Sequence, residues 1–293
     1  MAKILDGKIV REEMKKGLKE RVRGLGFAHV PMLAIVQVGD RDDSNRYIRN
    51  KQKFGEEIGV AVIHKKFEEN IKEEELISEI EKLNKDEKIN GIIVQLPLPE
   101  GLDAKKIIES IDKRKDADGL RDVEGGGEVL ITPATARAVM SLLDFYKIEV
   151  EGKRVAVIGR SRLAGAPIAE ALKERGAKVE VCHKGTENTA EVCRKADILV
   201  VAAGQAGLVT KDFVNSNQIV IDVGINKTSL PASLLEAGEG GTQTKPSLLV
   251  GDVAFGEVEP IVAAISPVPG GVGPLTVACL FQNLLDLCYN RSN

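Results

Sequence analysis

The chain has 293 residues, 43% of them apolar and 29% charged, with a formal net charge of -3, which suits one large or two medium domains with buried cores. No Lys/Arg stripe with interleaved aromatics occurs, so a nucleic-acid partner is not expected. Cys182, Cys193, Cys279 and Cys288 lack metal-ligand or redox spacing, the three histidines are scattered, and no apolar run nears the roughly 20 residues that span a bilayer, which together point to a cytoplasmic protein with reduced thiols, no metal site and no membrane partner.

In the first half, residues 33–38, 60–64 and 89–94 are short apolar runs alternating with helical patterns over 44–58, 72–84 and 104–111. Continuous apolar strands between helices predict a parallel sheet covered on both faces. The first helix carries Tyr47 and Lys51 four residues apart, on a face that continues through Phe54 and Ile58. Lys51 is there either a solvated lysine or one whose ammonium is disfavoured by an apolar stripe, with a lowered pKa suited to proton transfer. Short-chain dehydrogenases also use Tyr-x-x-x-Lys, but after the dinucleotide turn of the same domain; here the pair precedes such a turn by over a hundred residues. The stretch 68–88 mixes lysine and glutamate, as solvated helix faces do. Gln95 ends the strand Gly91-Ile92-Ile93-Val94 and precedes Leu96-Pro97-Leu98-Pro99. Open parallel sheets hold ligands at the carboxyl ends of their strands, and an amide there can hydrogen-bond a lysine. Asp116 and Asp118, in Lys115-Asp116-Ala117-Asp118-Gly119, are either turn formers or acceptors for a polar heterocycle. Thr132-Pro133 has the form of an N-cap and N1 pair opening a helix through Tyr146 that bridges to the second half.

The second half begins a new rhythm at Gly152, with strands over 154–158, 178–182, 198–202, 218–223 and 248–250 and a helix ending near Arg175. This is the pattern of a doubly wound nucleotide-binding fold. Between the first strand and its helix lies Gly159-x-Ser161-x-x-x-Gly165, which is either a tight structural turn or a cradle that lets the backbone approach a pyrophosphate. The second strand ends Val181-Cys182-His183-Lys184, with no acid to accept a ribose hydroxyl. Lys184 and Arg160 therefore favour a 2′-phosphate and NADP, the alternative for Lys184 being a solvated loop lysine. Gly238-Glu239-Gly240-Gly241 is expected to be a flexible loop. Finally, Ser266-Pro267-Val268-Pro269-Gly270-Gly271-Val272-Gly273-Pro274-Leu275-Thr276 specifies a backbone shape through its prolines and glycines. It is either an ordinary loop or a surface of displayed N–H and C=O groups for something flat and polar, and an apolar helix follows it.

These stretches together resemble the bifunctional methylenetetrahydrofolate dehydrogenase/cyclohydrolase family along nearly the whole chain. Matching segments are Val38-Gly39-Asp40 through Lys51, Gly91 through Pro99, Lys115 through Gly119, Val157 through Ser161, Ala196 through Val200, Ile221 through Asn226, Gly251-Asp252-Val253 and the Pro/Gly loop. The resemblance implies two α/β domains flanking a cleft: a folate-binding catalytic domain with a parallel sheet over 1–135, completed by 266–293, and a Rossmann-like NADP domain over 136–265. It implies NADP-dependent oxidation of 5,10-methylenetetrahydrofolate followed by hydrolysis to 10-formyltetrahydrofolate, in a homodimer formed through the nucleotide domains. By position, Lys51 is the proton carrier, Tyr47 orients it and the pterin, Gln95 tunes it, and Asp118 holds the pterin ring. Leu96, Asp116, Pro267, Pro269, Gly270, Gly271 and Thr276 join the folate side, and Gly159, Arg160, Ser161, Gly165, His183, Lys184, Gly204 and Ile225 the cofactor side. Three positions depart from the family: Ile131 where a cysteine is common before Thr-Pro, Ala206 where proline often stands, and a short glycine-rich segment over 121–130. None removes a proposed catalytic residue; the last two bear on cofactor affinity. The competing readings are an enzyme keeping only the dehydrogenase step, an amino-acid dehydrogenase, which leaves the Pro/Gly loop unexplained, and a non-catalytic folate- or nucleotide-binding protein.

Overall fold

A computed structural model of the chain describes residues 1–24, 30–121, 131–229 and 247–292. The Gly238–Gly241 loop and all but Arg121 of the glycine-rich segment 121–130 lie outside the described residues. Contacts divide the chain into two units, one of Met1–Lys8 with Val139–Pro274 and the other of Ile9–Ala138 with Leu275–Asn293. The chain passes between them within three helices, α1 (Gly7–Gly24), α5 (Ala134–Phe145) and α9 (Val272–Ser292).

In the unit holding residues 9–138, strand β2 (Met32–Val38) lies between β3 (Ala61–Phe67) and β4 (Gly91–Val94), all parallel. Helices α2 (Asp42–Ile58) and α3 (Glu73–Lys85) are the crossovers that parallel pairing requires, and α4 (Ala104–Glu109) follows β4. Strand β4 is buried throughout and β2 beyond its first residue, which is why β4 is wholly apolar and β2 apolar except for Gln37. Leu76, Ile80 and Leu83 of α3 pack with Ala34, Val36, Ile92, Val94 and Ile107 in one core. Strand β3 runs three residues past its expected end, because Lys65, Lys66 and Phe67 keep pairing with β2 while the two lysines stay exposed. One further parallel bridge joins Ile92 to Asp116, so the segment after α4 runs beside β4.

The other unit is a six-stranded parallel sheet in the order β1 (Lys3–Ile4), β11 (Ala264–Ile265), β8 (Ile219–Asp222), β7 (Ile198–Val201), β5 (Arg154–Ile158) and β6 (Lys178–Cys182). From β5 the chain moves out to β6 and then returns to β7 and β8 on the other side. The topological switch therefore lies between β5 and β7, where open α/β sheets hold their ligands. Helices α6 (Gly165–Glu174), α7 (Thr189–Lys195) and α8 (Phe255–Val258) accompany the sheet, and β9 (Asn226–Ser229) pairs antiparallel with β10 (Ser247–Val250). Ala156, Ile158, Leu199, Val201, Val220, Val258 and Ile265 form the core. Strands β5 and β6 fall at their predicted bounds.

Three features differ from expectation. Helix α1 went unpredicted because it buries only Gly7, Val10 and Leu18 among mostly charged residues. Strands β1 and β11 have two residues each, too few to show a period. The expectation that no apolar run could span a bilayer is corrected by α9: its window Val272–Tyr289 has a mean hydropathy of 1.2 and is long and apolar enough to do so, and 67% of it is buried inside the protein. A helix apolar on all sides is the pattern of a core helix, and Leu275, Phe281, Leu284 and Leu285 are fully enclosed.

Within the 9–138 unit, α9 also carries the fully buried Asn283. Its Nδ2 donates to the carbonyls of Ala117 and Thr132, both at 3.0 Å, and its Oδ1 accepts from Arg137 at 2.5 Å. Removing the amide takes the donor from two carbonyls and leaves the Arg137 nitrogen only its bond to Asp286. Asn283→Ala is expected to cost about 2–3 kcal/mol, measured as a lowered urea midpoint with unchanged slope; a loss under about 1 kcal/mol would show that water replaces the amide.

Candidate functional site

The carboxyl end of the three-stranded sheet gathers the first group of predicted residues. On α2 the buried residues are Ser44, Ile48, Phe54, Gly55 and Ile58. Lys51 lies three residues after Ile48 and four before Gly55, so it sits within that buried face. Tyr47 lies at its margin, 37% exposed. Gln95 is the residue after β4, and its backbone N–H still donates to Val36 at 2.8 Å. The Lys51 ammonium donates to Gln95 Oε1 at 2.9 Å, and Gln95 Nε2 donates to the Leu96 carbonyl at 2.8 Å. The second bond fixes which end of the amide faces the lysine. The parallel bridge at Asp116 then carries Asp118 two residues further, alongside the end of β4.

Burial sets the charge state here. Lys51 keeps part of its surface open, yet loss of water around its ammonium lowers its pKa, with the Asp118 charge opposing. Burial likewise raises the pKa of Asp118, opposed by Lys51. Each group is pushed toward its neutral form and pulled back by the other. The Tyr47 hydroxyl is held protonated by burial and then by the Asp43 carboxylate. Such a set can take up and release a proton more readily than a solvated lysine and carboxylate.

Asp116 and Asp118 separate into different roles. Asp116 accepts from the backbone N–H of Gly119 at 3.0 Å and of Arg121 at 2.7 Å, one on each oxygen. Burial nevertheless raises its pKa to about 6. Its carboxylate shapes the loop through these two bonds. The Pro/Gly segment is corrected in part. The Gly271 N–H donates to the Pro267 carbonyl at 2.7 Å and the Gly270 carbonyl accepts from Gly7 N–H at 2.8 Å, so two of its backbone groups close the loop. Pro267, Pro269, Gly270 and Gly271 belong to the six-stranded unit and Thr276 to the other.

The second group lies at the carboxyl end of the six-stranded sheet. Gly159 follows β5 with φ 113°, a conformation that L side chains rarely adopt, and a Cβ there would strike the Ala202 carbonyl. A Cβ on Gly165 would strike the Gly159 carbonyl, and α6 begins at that residue. The turn is thus bare backbone leading into a helix N-terminus, which fits a dinucleotide phosphate. Arg160, Ser161 and Lys184 are exposed beside it. His183 Nδ1 accepts from the Gly185 N–H at 3.0 Å, which leaves Nε2 as the N–H of the neutral ring. Gly204 follows β7, and Ile225, 47% exposed, follows β8.

Sequence reasoning missed two carboxylates beneath these loops. Asp252, fully buried, accepts from the backbone N–H groups of Ala203, Gly204 and Gln205 at 2.6, 2.9 and 2.8 Å and from Asn226 Nδ2 at 2.8 Å. Asp222 accepts from the N–H groups of Gly224, Asp252 and Val253, and burial raises its pKa to about 6. The only signal in the sequence was an acid beside glycine at a strand end, in Asp222-Val223-Gly224 and Gly251-Asp252-Val253.

Residues 5–118 match the catalytic-domain model of the tetrahydrofolate dehydrogenase/cyclohydrolase family, and residues 133–292 match its NAD(P)-binding-domain model. The chain belongs to the tetrahydrofolate dehydrogenase/cyclohydrolase family. It is 40% identical over 292 residues to Bifunctional protein FolD 2 of Lactobacillus johnsonii, covering 98% of each. The structure of bifunctional FolD from Campylobacter jejuni superposes with a TM-score of 0.88 at 39% identity, over 99% of this chain and 100% of that one. Trypanosoma brucei FolD, complexed with NADP cofactor and inhibitor, gives 0.89 at 37% identity, over 99% and 98%. Family membership accounts for the two α/β domains and for a nicotinamide cofactor on the second.

The Lys51–Gln95 contact yields a test of the charge argument. Gln95→Glu places an anion 2.9 Å from the ammonium and should raise the Lys51 pKa by about 1–3 units, followed by side-chain NMR of the lysine nitrogens. An unmoved midpoint would mean that Lys51 is not held by residue 95 in solution.

Proposed function

We infer that this chain oxidises 5,10-methylenetetrahydrofolate to the 5,10-methenyl compound with NADP and then hydrolyses that product to 10-formyltetrahydrofolate. The observation that carries this reading is a lysine with lowered pKa, hydrogen-bonded to Gln95 at 2.9 Å and electrostatically coupled to Asp118. NADP supplies the hydride acceptor, and the protein's part in that step is positioning. Hydrolysis needs a proton carrier: as water adds to the methenyl carbon, neutral Lys51 takes its proton. Lysinium then gives that proton to the ring nitrogen as the carbon–nitrogen bond breaks, and the hydroxyl proton leaves to solvent as its oxygen becomes the formyl carbonyl, so one proton is released overall. Tyr47 orients Lys51 and the pterin, Gln95 and Leu96 fix the direction of the lysine hydrogen bond, and Asp118 accepts from the pterin N–H groups.

The folate-binding domain takes residues 1–135 with the C-terminal 266–293, and the NADP domain takes 136–265. Gly159, Ser161, Gly165, Gly204 and Ile225 bear on the dinucleotide backbone, Arg160 and Lys184 on the 2′-phosphate, and the His183 Nε2–H is a further donor. Four buried thiols suit a cytoplasmic protein. The reading extends to a homodimer through the nucleotide domains, supported by β6, which among the described residues pairs with β5 alone and so forms an edge of the sheet.

An absorbance assay following NADPH and the methenyl compound together tests the whole reading: both must appear on adding the methylene substrate, and the methenyl signal must then decay by hydrolysis. Lys51→Met should retain less than about a tenth of the hydrolysis rate, since general acid–base catalysis contributes roughly 10²–10⁴-fold, while NADP affinity stays unchanged. Greater residual hydrolysis would remove Lys51 as the main proton carrier. Lys184→Ala should raise the Michaelis constant for NADP about tenfold and leave that for NAD unchanged, because a charge-assisted bond to phosphate is lost. Equal effects on both cofactors would rule out the 2′-phosphate contact.

A further inference from the structure

The wall facing the dinucleotide turn has no obvious support in the sequence. Residues 203–206 leave the end of β7 as an exposed loop containing two glycine-like necessities: Gly204 at φ 65° and close approach of the Ala202 carbonyl to Gly159. A loop of this kind, with its N–H groups otherwise turned to solvent, has little reason to hold one shape. Here three successive N–H groups, of Ala203, Gly204 and Gln205, converge on the Asp252 carboxylate, two on one oxygen and one on the other. The Asn226 amide completes the second oxygen and ties in the strand that starts just after Ile225. The backbone beneath is anchored in turn, since the Asp252 N–H donates to Asp222, whose other oxygen accepts from Val253. The Val209–Val253 bridge pins the far side of the same loop. There is no room for slack: a Cβ on Gly224 would strike the Asp252 carboxylate and one on Gly251 the Asp222 carboxylate.

We propose that Asp252 is a positioning residue for dinucleotide binding, gathering the loop after β7 and the segment after β8 into the shape that faces the dinucleotide turn. The proposal rests on placing NADP at the carboxyl ends of β5 and β7. The carboxylate stays buried and does not touch the dinucleotide; it acts through the backbone of residues 203–205. An acid is required because every group aimed at it is a donor. Asparagine has the same shape but presents an NH₂ to one pair of those donors, whichever way it is turned.

Asp252→Asn should therefore loosen the loop without disturbing the lysine site. The NADP dissociation constant from titration calorimetry is expected to rise about tenfold or more, as for loss of hydrogen bonds to a charged group. Hydrolysis of added methenyl substrate, which needs no dinucleotide, should stay within about twofold of wild type. That split is the decisive readout, since a merely structural residue would lower both together or neither. A parallel fall in both, or an unchanged NADP constant, overturns the role of Asp252. Should the variant fail to fold, Asn226→Ala removes one donor while keeping the carboxylate. A rise of about threefold in the NADP constant with hydrolysis unchanged then supports the proposal, and an unchanged constant overturns it. Ser161→Glu, which sets an anion in the exposed dinucleotide turn, separates the two levels of the reading. If it leaves NADP binding intact, the placement of the cofactor is at fault; if it abolishes binding while Asp252→Asn does not, the fault lies with Asp252.

Discussion

Parallel pairing within the three-stranded and the six-stranded sheet sends every strand of each the same way, and the placement of the functional residues follows from that constraint. A parallel pair needs a crossover, so each strand must end at the same edge and hand the chain to a loop before a helix brings it back. Gln95 is the first residue after β4, Gly159 after β5, His183 after β6 and Ser266 after β11. Ala203–Gln205 and Gly224–Ile225 follow the ends of β7 and β8 by two to four residues. Chemistry-bearing residues scattered over more than a hundred positions are therefore collected at two sheet edges by strand direction alone. Asp118 obeys the same rule without being in a strand, because a single parallel bridge at Asp116 aligns its segment with β4.

Charges withdrawn from water are handled in two contrasting ways at these edges. Asp252 and Asp116 are surrounded by backbone N–H groups, which satisfy a carboxylate with donors that cannot themselves ionise. Such acceptors organise loops and are poor candidates for proton transfer, since protonating them would strand the donors. Lys51 and Asp118 are held differently. Lys51 has one neutral hydrogen-bond partner and one opposite charge, while burial works against the charge on each. A pair balanced in this way can change protonation state without breaking a network, which is what a proton carrier requires.

This contrast explains what was legible in the sequence. Strand β5 could be placed to the residue because its apolar run ends at Gly159, and β6 because valines and a cysteine alternate with charged residues over Lys178–Cys182. Lys51 could be singled out because a lysine among Ile48, Phe54 and Ile58 violates the helical pattern, and violations of pattern are visible. Asp116 could not be told from Asp118, since the difference lies in which one receives the N–H groups of Gly119 and Arg121. Asp252 was invisible for the same reason: its partners are backbone groups at 203–205, which have no sequence signature. The carbonyl and N–H of Gly270 and Gly271, expected to be on display, turned out to hold their own loop together, and composition alone does not say which backbone groups are used internally.

The two kinds of polar site also suit the two halves of the reaction. Hydride transfer asks the protein for fixed geometry, and the six-stranded unit supplies it with buried acids that lock loops by satisfying their N–H groups. Hydrolysis asks for a group that can change charge, and the three-stranded unit supplies a lysine whose ammonium is destabilised by burial. The first kind of site tolerates no change in protonation and the second depends on it. Asp222 marks the boundary of that separation. Burial raises its pKa to about 6, opposed by the N–H donors on both of its oxygens. A carboxylate raised by burial stays ionised above that value and begins to take up protons as pH falls through it.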